Sequence, residues 1–376
     1  MKSQAPVHGG RVFEAARALD LPWHEIIDFS ANINPLGQPK GLKKAIFSDF
    51  ERSLHYPELQ AESLLAKLEE ITGLSAAHFL AGAGSTPHLF LLPRALGFSN
   101  PVIIGPAFAE YEAGLTRAGL HPQYINARET DDWQVKPDIL DRVFSRQPGA
   151  IFLANPANPT GRVVPADLMF ELAERCARRE VWLVVDEAFI DFTESGRTVL
   201  KLVKRNQRLI VLRSLTKIFA VPGLRLAYLA ANPQVIAKLA RLVEPWAVSS
   251  PSLSAGLYCL DQEGFIDSTL KGLRVFRRNL IKGLNDVGIG RVFPSEANFV
   301  LMKLREIFKP RDLIEYLFHE GILIRDASNF NGLKPGYLRL AVRPVNETAV
   351  LLDALKDFIG QAPPERSPLG GHRGRR

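Results

Sequence analysis

The sequence is poor in cysteine. Cys176 and Cys259 are the only two in 376 residues, and they lie far apart with no metal-type spacing. That excludes a disulfide framework and a thiolate metal centre, and it fits a reducing cytoplasm, where the protein is expected to work. No apolar run approaches the length of a transmembrane helix, so no membrane partner is expected. The opening residues, MKSQAPVHGG, lack the apolar segment of a secretory signal. There is no internal repeat, and no low-complexity tract apart from the C-terminal end.

The net charge of +7 is unevenly spread. Residues 363–376 carry Arg366, Arg373, Arg375 and Arg376 against Glu365. This stretch reads as a disordered basic tail. No aromatic interleaving or folded basic motif accompanies it, so no nucleic-acid partner is expected. The remaining mild excess of positive charge suits a small anionic substrate.

What is present is an alternation of short apolar runs with helical patterns. Residues 102–104, 150–154, 181–185, 209–212 and 226–230 read as buried strands, while 64–71 and 166–179 have helical spacing. Continuous apolar strands between helices predict an α/β fold with a mostly parallel sheet covered on both faces. From residue 253 the pattern changes to a long helix over 254–287. Strand-like ANFVLMKL, a helix in DLIEYLFHEG, and strands near 322–325 and 337–342 follow. The expected organisation is a large domain over 46–250 and a smaller α+β domain from 1–45 and 251–362.

In a largely parallel sheet, ligands bind beyond the carboxyl ends of the strands. Candidate polar residues stand there. Lys217 lies in SLTKIFAVPGLR, preceded by Ser214 and Thr216 and followed by Arg225. A covalent amine beside hydroxyls and an arginine suits a cofactor with a reactive aldehyde at one end and a phosphate at the other. Pyridoxal 5'-phosphate has both, and its Schiff base to a lysine activates amino-acid chemistry. Asp186 closes the run VWLVVDEAF and could pair with the ring nitrogen. Asn158, in NPANPTG, could donate an amide N–H to the ring oxygen. The turn at Gly82, Gly84, Ser85 and Thr86 leads into an apolar helical segment, whose backbone N–H groups suit a phosphate. Phe108, in GPAFAEY, is placed to stack on the ring.

With these motifs in this order, the chain resembles the fold-type I pyridoxal-phosphate family, the group of aspartate and histidinol-phosphate aminotransferases. Within that group it is similar to the threonine-phosphate decarboxylases of cobalamin biosynthesis. The closer resemblance rests on HGG at 8–10, DFSANINPLG at 28–37, PAFAEYEAGL at 106–115, DEAFIDF at 186–192, LRSLTK at 212–217, EPWAVSS at 244–250 and ILIRDASNF at 322–330. It implies a large domain with a mostly parallel sheet, a smaller α+β domain, and a homodimer with shared active sites. Lys217 would carry the cofactor and move protons. Tyr56 would reach the cofactor phosphate of the neighbouring subunit. His8, Gly9, Asn32, Asn158, Arg325 and Arg339 would line the substrate side. Arginine forks suit the carboxylate and phosphate of a phosphorylated amino acid.

Three departures stand out. Arg11 replaces the asparagine of the family's HGGN, Thr86-Pro87 follows the glycine turn where an acidic residue is usual, and Phe189 stands where relatives use tyrosine. The resemblance implies decarboxylation of phosphothreonine to aminopropanol phosphate. An aminotransferase acting on a compound such as histidinol phosphate is the alternative, because lysine, aspartate and asparagine serve both outcomes. A non-catalytic regulator is a third reading. Such regulators carry a DNA-binding module ahead of the domain, and too few residues precede HGG for one to be expected.

Overall fold

The computed structural model describes residues 8–361; the basic tail at 363–376 lies outside the described residues. A two-residue strand, β1 (Ile27–Asp28), comes first. Then β2 (Phe79–Gly82), β3 (Pro101–Gly105), β4 (Gln123–Asn126), β5 (Ala150–Ala154), β6 (Trp182–Asp186), β7 (Leu209–Ser214) and β8 (Ala227–Ala231) build a seven-stranded sheet in the order β2-β8-β7-β6-β5-β3-β4. All pairings from β4 across to β7 are parallel, and β8 runs antiparallel to both of its neighbours. Every residue of β3, β5 and β8 is buried, as expected where helices cover both faces of a sheet. The helix Ala166–Arg178 turns Leu168, Met169, Leu172, Ala173 and Cys176 inward, which is the apolar stripe of an amphipathic helix.

A second sheet follows. It comprises β9 (Gly290–Val292), β10 (Phe299–Leu304), β12 (Arg325–Asp326) and β13 (Tyr337–Ala341), ordered β12-β13-β10-β9 with every pairing antiparallel. Between them β11 (Ile322–Leu323) pairs in parallel with β1. The next residue extends the link, since Phe29 donates its N–H to Leu323 and accepts one from Ala341, both at 2.8 Å. Residues 27–29 are thereby stitched to the C-terminal part of the chain. One continuous apolar core joins both sheets, running from Leu183 and Val211 to Phe299 and Leu317.

Two expectations need correction. The helix expected over 254–287 is two helices, Ser250–Leu260 and Phe265–Val287. The polar stretch Asp261-Gln262-Glu263 interrupts the apolar face, and Gly264, left-handed at φ +71, is the N-cap of the second helix. The single strand expected near 322–325 is divided: β11 pairs with β1, β12 with β13, and Ile324 lies between them. The strands β2 and β4 went unread in the sequence. β4, a polar edge strand reading QYIN, has too little apolar content to register.

Candidate active site

Strand direction explains the clustering. The carboxyl ends of β5, β6 and β7 share one edge of the sheet, with Ala154 opposite Asp186 and Asp186 opposite Leu212. Because β8 runs the other way, its first residue, Ala227, faces both Ser214 and Gly82. Arg225 arrives at the same edge for that reason, two residues before β8.

Lys217 sits in the short helix Leu215–Ile218 that follows β7. Its Nζ donates to Thr216 Oγ1 at 3.0 Å, and that hydroxyl lies 2.8 Å from Ser214 Oγ. Burial, then the nearby Arg225, lowers the amine to about 8, against the opposing pull of Asp186. A larger neutral fraction follows, which is what a nucleophilic amine requires. Asn34 holds this helix in place. Its N–H donates to Lys217 O at 3.1 Å and its Nδ2 to Ile218 O at 2.7 Å and Thr269 Oγ1 at 2.9 Å.

Asp186 has both carboxylate oxygens occupied. Tyr111 Oη donates to Oδ2 at 2.8 Å and Ala188 N–H to Oδ1 at 2.9 Å. Burial pushes the carboxyl up, and Tyr111, Ala188 and Lys217 each oppose that push. The glycine turn stands against Arg225. Gly84 has φ +93, a left-handed backbone that favours glycine, and the Arg225 guanidinium packs against its Cα. The helix Ser85–Leu96 starts at the next residue, and its first N–H groups are free of intrahelical partners.

Opposite these groups stand two arginines. Arg325 and Arg339 are directly paired across β12 and β13. Arg339 donates to Asn158 Oδ1 at 2.7 Å and to Ser30 O at 2.6 Å, while its buried Nε has no partner. Arg325 donates to Asn329 Oδ1 at 2.7 Å and to Asp326 O, and lies over the Phe330 ring. Neither has a carboxylate within salt-bridge distance among the described residues. Burial, then the charge of Arg325, lowers Arg339 to about 9, with Asp28 opposing; Arg325 is also lowered, by burial. Asn32 is buried with its Oδ1 unpartnered. His8 Nε2 lies 3.0 Å from Glu110 Oε1, and a side chain at Gly9 would collide with the Ser30 carbonyl.

A cavity of about 690 Å³ brings these residues together: His8, Gly9, Asn32, Gly84, Ser85, Thr86, Phe108, Asn158, Asp186, Ser214, Thr216, Lys217, Arg225, Arg325 and Arg339 all line it. Tyr56 does not. It is 80% exposed and stacks on Trp246 with ring centroids 4.6 Å apart. Phe189 also lines the cavity and packs edge-on against Phe299. Tyr111, Asn34, Ser30 and Glu110 were not singled out from the sequence. Their signal was present only as part of longer motifs, FAEY and SANINP.

The family pattern for class I and II aminotransferases matches residues 24–355. The chain belongs to this family. It is 34% identical over 358 residues to the threonine-phosphate decarboxylase of Salmonella typhimurium, covering 95% of this chain and 98% of that one. It is 31% identical over 334 residues to the histidinol-phosphate aminotransferase of Caldanaerobacter subterraneus, covering 88% and 92%. The crystal structure of L-threonine-O-3-phosphate decarboxylase from Porphyromonas gingivalis matches with a TM-score of 0.80 at 25% identity, covering 89% of this chain and all of that one. The aminotransferase-family fold is thus the fold-type I arrangement, and its cofactor is pyridoxal phosphate. The residues fit that group. One end of the cavity offers an amine whose neutral form burial favours and a buried carboxylate, and the other offers free N–H groups, hydroxyls and a guanidinium.

Proposed function

We propose that the protein decarboxylates L-threonine O-3-phosphate to (R)-1-amino-2-propanol O-2-phosphate, the linker unit of cobalamin. The observation that carries this reading is the cross-strand pair of Arg325 and Arg339 facing the same cavity as Lys217. Like charges directly opposite each other are unfavourable without a counter-charge. A substrate with a carboxylate and a phosphate supplies two. The full-length similarity to threonine-phosphate decarboxylases supports the same choice.

Bound pyridoxal phosphate supplies the electron sink that weakens bonds at the substrate α-carbon. The chain's own residues do the rest. Asp186 presents a carboxylate to the ring nitrogen, and Asn158 turns its amide N–H to the ring oxygen while its Oδ1 is held by Arg339. Gly84, Ser85, Thr86, Ser214, Thr216 and Arg225 seat the cofactor phosphate, and Phe108 covers the ring. His8, Gly9, Asn32, Arg325 and Arg339 orient the substrate. When carbon dioxide leaves, Lys217 Nζ delivers the proton that takes its place. Among the described residues, 46–250 form the cofactor side, and 8–45 with 251–361 the substrate side.

The working unit in this reading is a homodimer in the cytoplasm, with Tyr56 reaching the partner's cofactor phosphate. Exposed Phe47, Phe50, Leu54, Tyr56 and Trp246 support a second copy covering this face.

The test incubates protein, pyridoxal phosphate and phosphothreonine with no keto acid. Carbon dioxide and aminopropanol phosphate are expected in equal amounts, and phosphoserine is compared because one methyl is worth only about 1–3 kcal/mol. Turnover that requires a keto acid and releases no carbon dioxide would instead mark an aminotransferase. Lys217→Ala is expected to lose the cofactor on dialysis. Retention of a borohydride-reducible link in that variant would show that another lysine holds it.

A further inference from the structure

We propose that Tyr111 is a positioning residue for Asp186: its phenol fixes the carboxylate that faces the cofactor ring and keeps it ionised. The inference rests on the cofactor reading above and adds to it a residue that acts through Asp186.

Tyr111 lies in the first turn of the helix Ala109–Arg117, which follows β3, whereas Asp186 ends β6. The two are 75 positions apart in sequence, yet the hydroxyl lies 2.8 Å from Oδ2 and both groups are buried. The ring packs against Phe108 and Phe152, with both centroid distances 6.0 Å. A phenylalanine would fill this apolar space without burying a hydroxyl. Burying one is unfavourable unless it finds a partner, and Asp186 is that partner. Since Ala188 N–H holds Oδ1, the two donors together leave the carboxylate little freedom to rotate.

The bond also sets the charge state. A hydrogen bond donated to a carboxylate favours its anion, in opposition to burial. Other groups bearing on Asp186 are few. Lys217 does so from the helix Leu215–Ile218, and Tyr124, from β4, bears in turn on Tyr111. Without the phenol, the Asp186 carboxyl takes up a proton at higher pH, and a protonated acid no longer stabilises a cationic ring nitrogen.

The test is Tyr111→Phe, which removes one oxygen and keeps the ring. Pyridoxal phosphate is titrated into wild type, Tyr111→Phe, Asp186→Asn and the double variant, with binding followed by absorbance across pH. Tyr111→Phe is expected to weaken binding roughly tenfold, and the pH below which affinity falls should move upward. In the Asp186→Asn background the same change should have no further effect, because the phenol acts only through the carboxylate. Unchanged affinity with an unmoved acid limb, or equal losses in the two backgrounds, overturns the proposal. Should wild type bind no pyridoxal phosphate, the proposed function fails, while this inference is still read in the cofactor-free protein. There the Asp186 carboxyl, followed by 13C NMR, must titrate at lower pH in wild type than in Tyr111→Phe; coincident curves overturn the inference. Circular dichroism and thermal unfolding confirm that each variant is folded.

Discussion

Arg213 and Arg339 are both largely buried, and they are surrounded in opposite ways. Arg213 donates to Glu187 Oε2 at 3.1 Å and Asp191 Oδ1 at 2.6 Å. Burial acts against its charge, but Asp191, Tyr228 and Glu187 more than overcome this and hold the guanidinium far above its ordinary value. Arg339 has only an amide and a carbonyl as acceptors and faces Arg325 across the strand pair. Its charge is pushed down instead of up. The same side chain serves two purposes. With its charge matched inside the chain, arginine ties loops to the sheet; with its charge unmatched, it is the one that the proposed function pairs with a substrate anion. The distinction separates an arginine matched inside the chain from an unmatched one without reference to any ligand.

The largest effect expected from this contrast is on stability. Arg213→Met leaves Glu187, which is fully buried, without its cation, and should cost about 3–5 kcal/mol in denaturant unfolding. Arg339→Met should do the reverse. It removes a buried, unmatched charge, so stability stays level or rises, while kcat/KM for phosphothreonine falls roughly 100- to 1000-fold, about 2.7–4 kcal/mol of transition-state binding. A loss of stability in Arg339→Met equal to that in Arg213→Met would erase the contrast.

Lys217 sharpens it on the other face of the cavity. The amine titrates near 8 in the folded protein and near its ordinary 10.5 when unfolded. Folding therefore opposes the charged form, and the penalty is complete below pH 8. As pH rises from 8 toward 10.5 the folded amine is already neutral while the unfolded one is still charged, so the penalty shrinks, and it is gone above that range. In cofactor-free protein, Lys217→Met should gain about 1–3 kcal/mol at neutral pH, limited by the partial opening of the side chain to the cavity. The gain should fade between pH 8 and 10.5. A gain independent of pH would mean that packing, and not charge, is responsible.

Much of this site was legible before the fold was known, for a simple reason. Lys217, Asp186 and Asn158 each follow an apolar strand, so sequence position alone puts them at one edge of a parallel sheet. The Arg325–Arg339 opposition was not legible, because it depends on the register of two strands joined through a long irregular segment. Nor was the pairing of Tyr111 with Asp186. In FAEY the tyrosine reads as one more apolar helical residue, and its hydroxyl acquires meaning only through a contact between distant elements. The break at 261–264 was hidden because helical spacing resumes on both sides of it. Tyr56 was named by resemblance alone, and a single chain leaves it on the surface.

The smallest effect expected concerns the anion itself. Inorganic phosphate should stabilise the protein, since anything bound only to the folded state does so by mass action. The proposed cofactor-phosphate seat at Gly84 and Arg225 would also take free phosphate, so the measurement belongs on cofactor-loaded protein, where that seat would be filled. At about five times its Kd, phosphate then contributes ~1 kcal/mol, a rise of roughly 1 °C in Tm for a chain of this size. Arg339→Met should abolish that rise. Surface charge changes such as Arg274→Ala should leave it intact, because Arg274 is exposed and paired with Glu194. If phosphate protected wild type and Arg339→Met equally, the unmatched guanidinium would not be its seat, and the reading of Arg325 and Arg339 as the substrate's counter-charges would have to be abandoned.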